Sequence, residues 1–288
     1  MRVVGFTILR NGILMDYPFR EAILSALPLC ERFIVSVGQS EDDTYAAIQE
    51  LAQQHPTIEV RQSIWDLSNR REGSVLAVET NKVLDSLPST DWVLYLQADE
   101  VIHEDDYEAI RRAMQENLAD ERVEGLVFEY VHFYGSYEWV GASRRWYRRE
   151  VRVIRPWPAI RAYRDAQGFR RGERKLRVRP ANARIFHYGW VRPPHQQAQK
   201  LRHLHRYWHD DEWIEKALRT GFSYDLGQPL RRFTGTHPAV MEARIAQRQW
   251  DFPYDPAKVR LPWKERLLAW IERHTGWRIG EFRNYRLL

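Results

Sequence analysis

The first hundred residues alternate between two hydrophobic periods, and this limits the fold more than any other feature of the chain. Val3 to Leu9 is a continuous apolar run. Asp16 to Leu27 follows with Phe19, Ile23 and Leu27 at helical spacing, stopped by Pro28. Phe33 to Val37 is apolar again, and the polar loop 38–44 leads into a helical stretch, Thr44 to Gln54, closed by His55-Pro56. Ile58 to Arg61 reads as a third strand, and a helix with Leu76, Val83 and Leu87 on one side precedes the run Trp92 to Leu96. Strand and helix in alternation predict parallel βαβ units, hence a three-layer α/β/α, Rossmann-like, mostly parallel sheet. A run apolar on both faces, such as Trp92 to Leu96, suits a central strand covered on each side. Ligands of such sheets bind at the carboxyl ends of the strands, and Asp99 and Glu100 stand at this end. Two carboxylates there suit a divalent cation. The alternative is that they open the next helix, where acids favour the N-terminal dipole, as the acidic stretch Ile102 to Asp106 allows.

Charge is unevenly spread. The net charge is +5, and between Arg144 and Arg184 lie 14 Arg and one Lys against three acids. Such a field attracts phosphate in any form: sugar nucleotides, lipid head groups, anionic glycans or nucleic acid. The 12 Trp provide faces that can stack on sugar rings as well as fill a core. No apolar run approaches the roughly 20 residues of a membrane span. The N-terminus lacks a small-residue cleavage site and meets Arg10-Asn11 at once, so it reads as a first buried strand rather than a signal. A lone Cys30 rules out internal disulfides and agrees with a cytoplasmic protein.

Beyond the central strand, Gly125 to Gly135 alternates and predicts a long strand carrying Glu129 and His132. Val151 to Arg155, Lys175 to Val178 and Ala183 to Trp190 are further strands. Composition shifts after Trp190, which suggests a catalytic domain over residues 1–190 and a helical, proline-punctuated extension over 191–288. In that extension His195 to Leu218 predicts a helix with Leu201, Leu204 and Trp208 inward. His203 and His205, two apart, would face different sides of it. Lys264 to His274 is an amphipathic, basic helix suited to docking on the catalytic domain or a second subunit, or to peripheral membrane contact.

Leu96-Gln97-Ala98-Asp99-Glu100 resembles the "LDADE" form of the DxD motif of family 2 glycosyltransferases of the GT-A fold. The resemblance covers residues 1–190. It implies that Asp99 binds the Mn²⁺ or Mg²⁺ that holds the diphosphate of a nucleoside-diphosphate sugar. Gln97 stands where the family has the first Asp and can hydrogen-bond a ribose or a metal-bound water. Ile34 to Thr44 is similar to the family's "IVVDSGSTDGT". The base-contacting Asp of that motif falls at Val37, which leaves Gln39, Ser40 or backbone to read the base. Thr7 to Asn11 lies where the family has "P-x-Y-N-E", making Arg10 a diphosphate or base contact. Asp66 and the segment 69–73, with Arg71, lie where the family places polar and basic groups near the phosphates. His187 corresponds to a third metal ligand, or is a strand-end histidine. Asp165 falls near the general base of inverting relatives, with Glu138 as the alternative.

The function implied is metal-assisted transfer of a sugar to a hydroxyl of a glycan, lipid-linked or other anionic acceptor. Two other readings compete with it. A sugar nucleotidyltransferase would open on a Gly-rich loop with a Lys, and Gly5 to Gly12 carries no such run. A nucleic-acid-binding protein would use the segment Arg144 to Arg184.

Overall fold

The computed structural model describes residues 1–68 and 72–288. Its first half alternates as the periodicity predicts: β1 (Val3–Leu9), α1 (Phe19–Ala26), β2 (Arg32–Gly38), α2 (Thr44–Gln54), β3 (Ile58–Ser63), α3 (Ser74–Asp85) and β4 (Trp92–Tyr95). These four strands pair in parallel in the order β3-β2-β1-β4, with Thr7 opposite Val35 and Val3 opposite Trp92.

The alternation of side chains across each strand builds two cores. Leu9, Phe33, Val35, Trp92 and Leu94 pack with Phe19 and Ile23 of α1 and Ile48 and Leu51 of α2. Val4, Phe6, Ile34, Val93 and Tyr95 pack on the other face with Ala77 and Val83 of α3. Burial on both faces explains why these strands carry continuous apolar runs. Trp92 is fully buried, donates its indole N–H to the Met114 carbonyl at 3.1 Å, and lies under the Arg155 guanidinium at 3.9 Å.

The next elements are β5 (Glu100–Ile102), α4 (Tyr107–Glu116), β6 (Gly125–Tyr134), β7 (Ser136–Gly141), β8 (Arg149–Ile154), β9 (Ile160–Ala162), β10 (Phe169–Arg171) and β11 (Arg174–Trp190). They extend the sheet in the order β4-β8-β6-β11-β10-β9. Here β8 runs antiparallel to both β4 and β6, while β6 and β11 are parallel. The two strands read between Lys175 and Trp190 are one long strand, β11. Its register against β6 shifts between Pro180 and Arg184, where Pro cannot donate to the ladder and Asn182 takes a left-handed φ of 53°.

The extension contains α5 (Pro194–His205), α6 (Asp211–Ala217), β12 (Leu230–Arg232), α7 (Glu242–Ala246), α8 (Trp263–Thr275) and β13 (Tyr285–Leu287). The single helix expected over His195 to Leu218 is two, because Asp210 caps a new start by accepting from the Trp213 N–H at 2.8 Å. β12 pairs with β7 and β13 with β11, so the extension is stitched into the sheet. His237 bonds the Tyr188 hydroxyl at 2.8 Å, and Trp250 donates to the Gly135 carbonyl at 2.8 Å. α8 buries no residue and is tied to the body through Glu272, which pairs with Arg144 at 2.9 Å. Among the described residues no helix is long and apolar enough to cross a membrane.

The arginine-rich segment is held largely by the protein itself. Arg152 pairs with Glu100; Arg171, Arg174 and Arg177 surround the buried Glu124; Arg184 pairs with Asp106. Arg155 donates to the carbonyls of Asn117 and Leu118, and Arg170 to that of Asn284. These contacts fix the positions of the guanidinium groups, and three of them share the one Glu124 carboxylate.

Candidate functional site

The turn after β4 separates the two carboxylates that the sequence sets side by side. Glu100 has no exposed surface, and both its oxygens are taken by Arg152, each at 2.7 Å. It also accepts from the Tyr130 hydroxyl at 2.7 Å and the Gln97 N–H at 3.1 Å. Arg152 sits 5.4 Å from the ring centres of Tyr95 and Tyr130, and a further N–H reaches the Gln167 carbonyl at 2.8 Å. Glu100 is therefore a structural anion that fixes the turn, and the expected carboxylate pair does not form.

Asp99 alone enters the cavity. β5 and β11 pair with Glu100 opposite His187, and β6 and β11 with His132 opposite His187, so register gathers the site. One Asp99 oxygen lies 3.2 Å from the Lys200 ammonium on α5, and the other 3.8 Å from His187 Nε2. Lys200 also donates to the Gly189 carbonyl at 2.8 Å and lies over the Tyr17 ring at 4.6 Å. Burial alone would raise the Asp99 carboxyl, but the Lys200 ammonium and the Arg192 guanidinium outweigh it and hold it at about 2. Burial, reinforced by Arg192, pushes the Lys200 ammonium down to about 7 against the pull of Asp99.

The histidine tautomers follow from their partners. His132 Nε2 lies 2.8 Å from the Tyr147 carbonyl, which only accepts, so this nitrogen carries the proton. Burial holds both histidines below their ordinary value, in the neutral form. His132 Nδ1 is then an acceptor for the Nδ1–H of His187 at 3.1 Å. His187 Nε2 is left with a free lone pair facing Asp99.

The cavity has a volume of about 280 Å³ at the carboxyl ends of β1 and β4. Its walls carry the charged groups Arg10, Asp99, Asp165 and Lys200 and a set of aromatics that includes Trp65, Tyr147, Trp190, Tyr207 and Trp208. Trp65 Nε1 and Gln197 Nε2 are closed off from the open space of the cavity, the indole N–H lying over Gly38. Gly73 has a φ of 64° and packs against two wall residues; a side chain there would meet Trp208 at 2.7 Å and Asp165 at 3.0 Å.

Arg10, Gln97, Asp99, Asp165 and His187 line this one cavity. Arg10 is held by the Gln39 carbonyl at 2.9 Å and Glu41 at 3.0 Å. Gln39 lines a neighbouring cavity with Val37, Ser40 and Tyr45. Asp66 is exposed and caps the Ser68 N–H at 2.9 Å. Arg71 lies outside the described residues. Glu138 does not line the cavity: it is exposed on β7 and paired with Arg248 at 2.6 Å, which removes its claim as a base. Sequence reasoning missed Lys200, although it was within reach. Gln197, Lys200, Leu201 and Leu204 share one helical face, and the inward leucines carry the lysine with them.

A divalent cation would find Asp99 and the His187 lone pair here, with neutral Gln97 as the remaining group of the motif. Glu100 is committed to Arg152, and the Asp99 charge is already matched by Lys200. Among the described residues no group of three His, Cys, Asp or Glu side chains could hold a metal ion. This donor set fits a divalent cation poorly.

No protein-family model matches the sequence, and no curated protein matches it. Among solved structures the chain is similar to TarS of S. aureus, with 12% identity and a TM-score of 0.39 over 71% of this chain and 39% of that one. It is also similar to the mannosyltransferase PcManGT of Pyrobaculum calidifontis, in complex with GDP-Man and Mn²⁺, at 17% identity and a TM-score of 0.34. That match covers 46% of this chain and 36% of the other. Glucosyl-3-phosphoglycerate synthase of Mycobacterium tuberculosis, in complex with Mn²⁺, UDP and phosphoglyceric acid, matches at 15% identity and a TM-score of 0.31. That match covers 46% of this chain and 43% of the other. The chain thus spans well under half the length of each, and similarity at this level assigns neither a substrate nor a residue's role.

Proposed function

We propose that this protein is a GT-A-like glycosyltransferase that moves a sugar from a nucleoside-diphosphate sugar to an acceptor hydroxyl. One observation carries the reading. A cavity at the carboxyl ends of parallel strands combines a buried Asp–Lys pair, an arginine held in place by the Gln39 carbonyl, and aromatic walls. Cations suit the oxygens of a diphosphate, and aromatic faces suit the base and the sugar ring. Arg10 stands between this cavity and the one lined by Val37, Gln39 and Ser40, which we assign to the nucleoside.

In the proposed reaction the acceptor oxygen bonds to the anomeric carbon as that carbon's bond to the diphosphate oxygen breaks. The hydroxyl proton passes to the Asp165 carboxylate, which stands on the cavity wall. The nucleoside diphosphate leaves with the bonding electrons, and Lys200 and Arg10 meet its growing charge.

The test is thermal stabilisation by a panel of UDP-, GDP-, dTDP- and CDP-sugars. A ligand present at about 100 times its Kd stabilises by about 2.7 kcal/mol, enough to shift the melting temperature measurably. A shift for one nucleotide family, lost in Asp99→Ala, is expected. A flat panel would remove the donor site from this cavity.

A further inference from the structure

We propose that the donor diphosphate is bound by the Lys200 ammonium together with Arg10, and needs no divalent cation. This rests on the transferase reading above and specifies how its donor is held.

The argument begins with what surrounds Asp99. Lys200 is buried and makes two short contacts, 3.2 Å to Asp99 and 2.8 Å to the Gly189 carbonyl. An ammonium has three N–H donors, so one remains for a phosphate oxygen. Lys200 is not a loose surface cation that swings away on binding. Its side chain is packed over Tyr17, and Gln197 and Leu201 bury the same face of α5.

The place for a metal is compromised on each side. The gap between Asp99 and His187 Nε2 measures 3.8 Å and adjoins the ammonium. One carboxylate charge does not balance both an ammonium and a divalent ion at contact distance, so an ion could enter only as Lys200 gave up its proton. Glu100, the second acid of the motif, has both oxygens on Arg152. Gln97 brings no charge.

The remaining wall offers donors to an anion. Arg10 is a fixed guanidinium, oriented by Gln39 and Glu41. Lysine and arginine together can supply to a diphosphate what a cation with its water shell would otherwise supply.

The experiment is calorimetric titration with the nucleoside diphosphate that gives the largest shift in the panel. It is run on EDTA-treated protein and again with Mn²⁺ added, for wild type, Lys200→Met and Lys200→Arg. Wild-type affinity is expected to agree within about twofold between the two conditions, a difference of under about 0.5 kcal/mol. Lys200→Met is expected to lose at least about tenfold in either condition, and Lys200→Arg, which keeps the charge on a larger head group, to lose less than Lys200→Met. The wild-type comparison needs no variant to fold. Binding only with Mn²⁺ overturns this inference and leaves the transferase reading standing. Lys200→Met binding as well as wild type in EDTA also overturns it. No binding under either condition overturns both.

Discussion

A methyl group at position 189 would enter the space between the two side chains that face each other across the site. A Cβ on Gly189 would lie 2.6 Å from His187 Nε2 and 2.7 Å from the Asp99 oxygen held by Lys200. Gly189→Ala is therefore expected to fill the gap and lower nucleotide affinity at least about tenfold, or about 1.4 kcal/mol. Calorimetric titration of the variant, with its melting curve as a folding control, checks this; unchanged affinity would show that the ligand never approaches the gap. Glu150 offers a second test at the same scale. It is buried behind Asp165 and Gln167, and burial pushes its carboxyl up to about 7 against the pull of Arg152 and the Val151 N–H. A carboxyl raised in the folded state stabilises most below the ordinary carboxylate range and loses that contribution as pH rises through 7. Wild type is expected to lose on the order of 2 kcal/mol of stability between pH 5 and pH 8 that Glu150→Gln does not lose. Urea unfolding at the two pH values decides it, and parallel losses in both proteins would reject it.

Glu100 and Arg152 act between elements rather than at the reacting centre. The pair ties the turn after β4 to β8, and the Arg152 contact with the Gln167 carbonyl adds the loop that carries Asp165. Arg152→Met leaves a buried carboxylate unpaired and is expected to cost about 3–5 kcal/mol, whereas Glu100→Leu with Arg152→Met recovers much of that loss. Urea midpoints of the single and double variants measure the difference; equal losses would mean that the ion pair is not the link. The same pair marks where sequence reasoning stopped. The βαβ half was legible because each strand and helix announces itself in a short window, as at Val3–Leu9 and Thr44–Gln54. Asp99 and His187 were singled out by a motif and a strand end, and both line the cavity. Which of the two adjacent acids faces the cavity was not legible, because that depends on Arg152, 52 residues further on. Lys200 meets Asp99 across 101 residues, and no local pattern encodes such a meeting. The single strand β11 was hidden for the opposite reason: Pro180 is a local breaker that the register shift absorbs.

At the scale of the whole molecule the cavity belongs to no single segment. β1 and β4 provide its floor, β11 contributes His187 and Trp190, and the extension provides Lys200, Tyr207 and Trp208. Residues beyond 190 therefore complete the wall of this cavity. Of the 12 Trp in the chain, Trp65, Trp190 and Trp208 line this cavity, one from the segment after β3, one from the end of β11 and one from the segment after α5. Indole emission is sensitive to stacking and to nearby charge, so the protein carries its own optical reporter. Its fluorescence should change on nucleotide addition with the midpoint found by calorimetry, and Trp208→Phe should diminish the signal. Each of the three separated parts of the wall contributes a fluorophore, so ligand binding can be followed by light without a label.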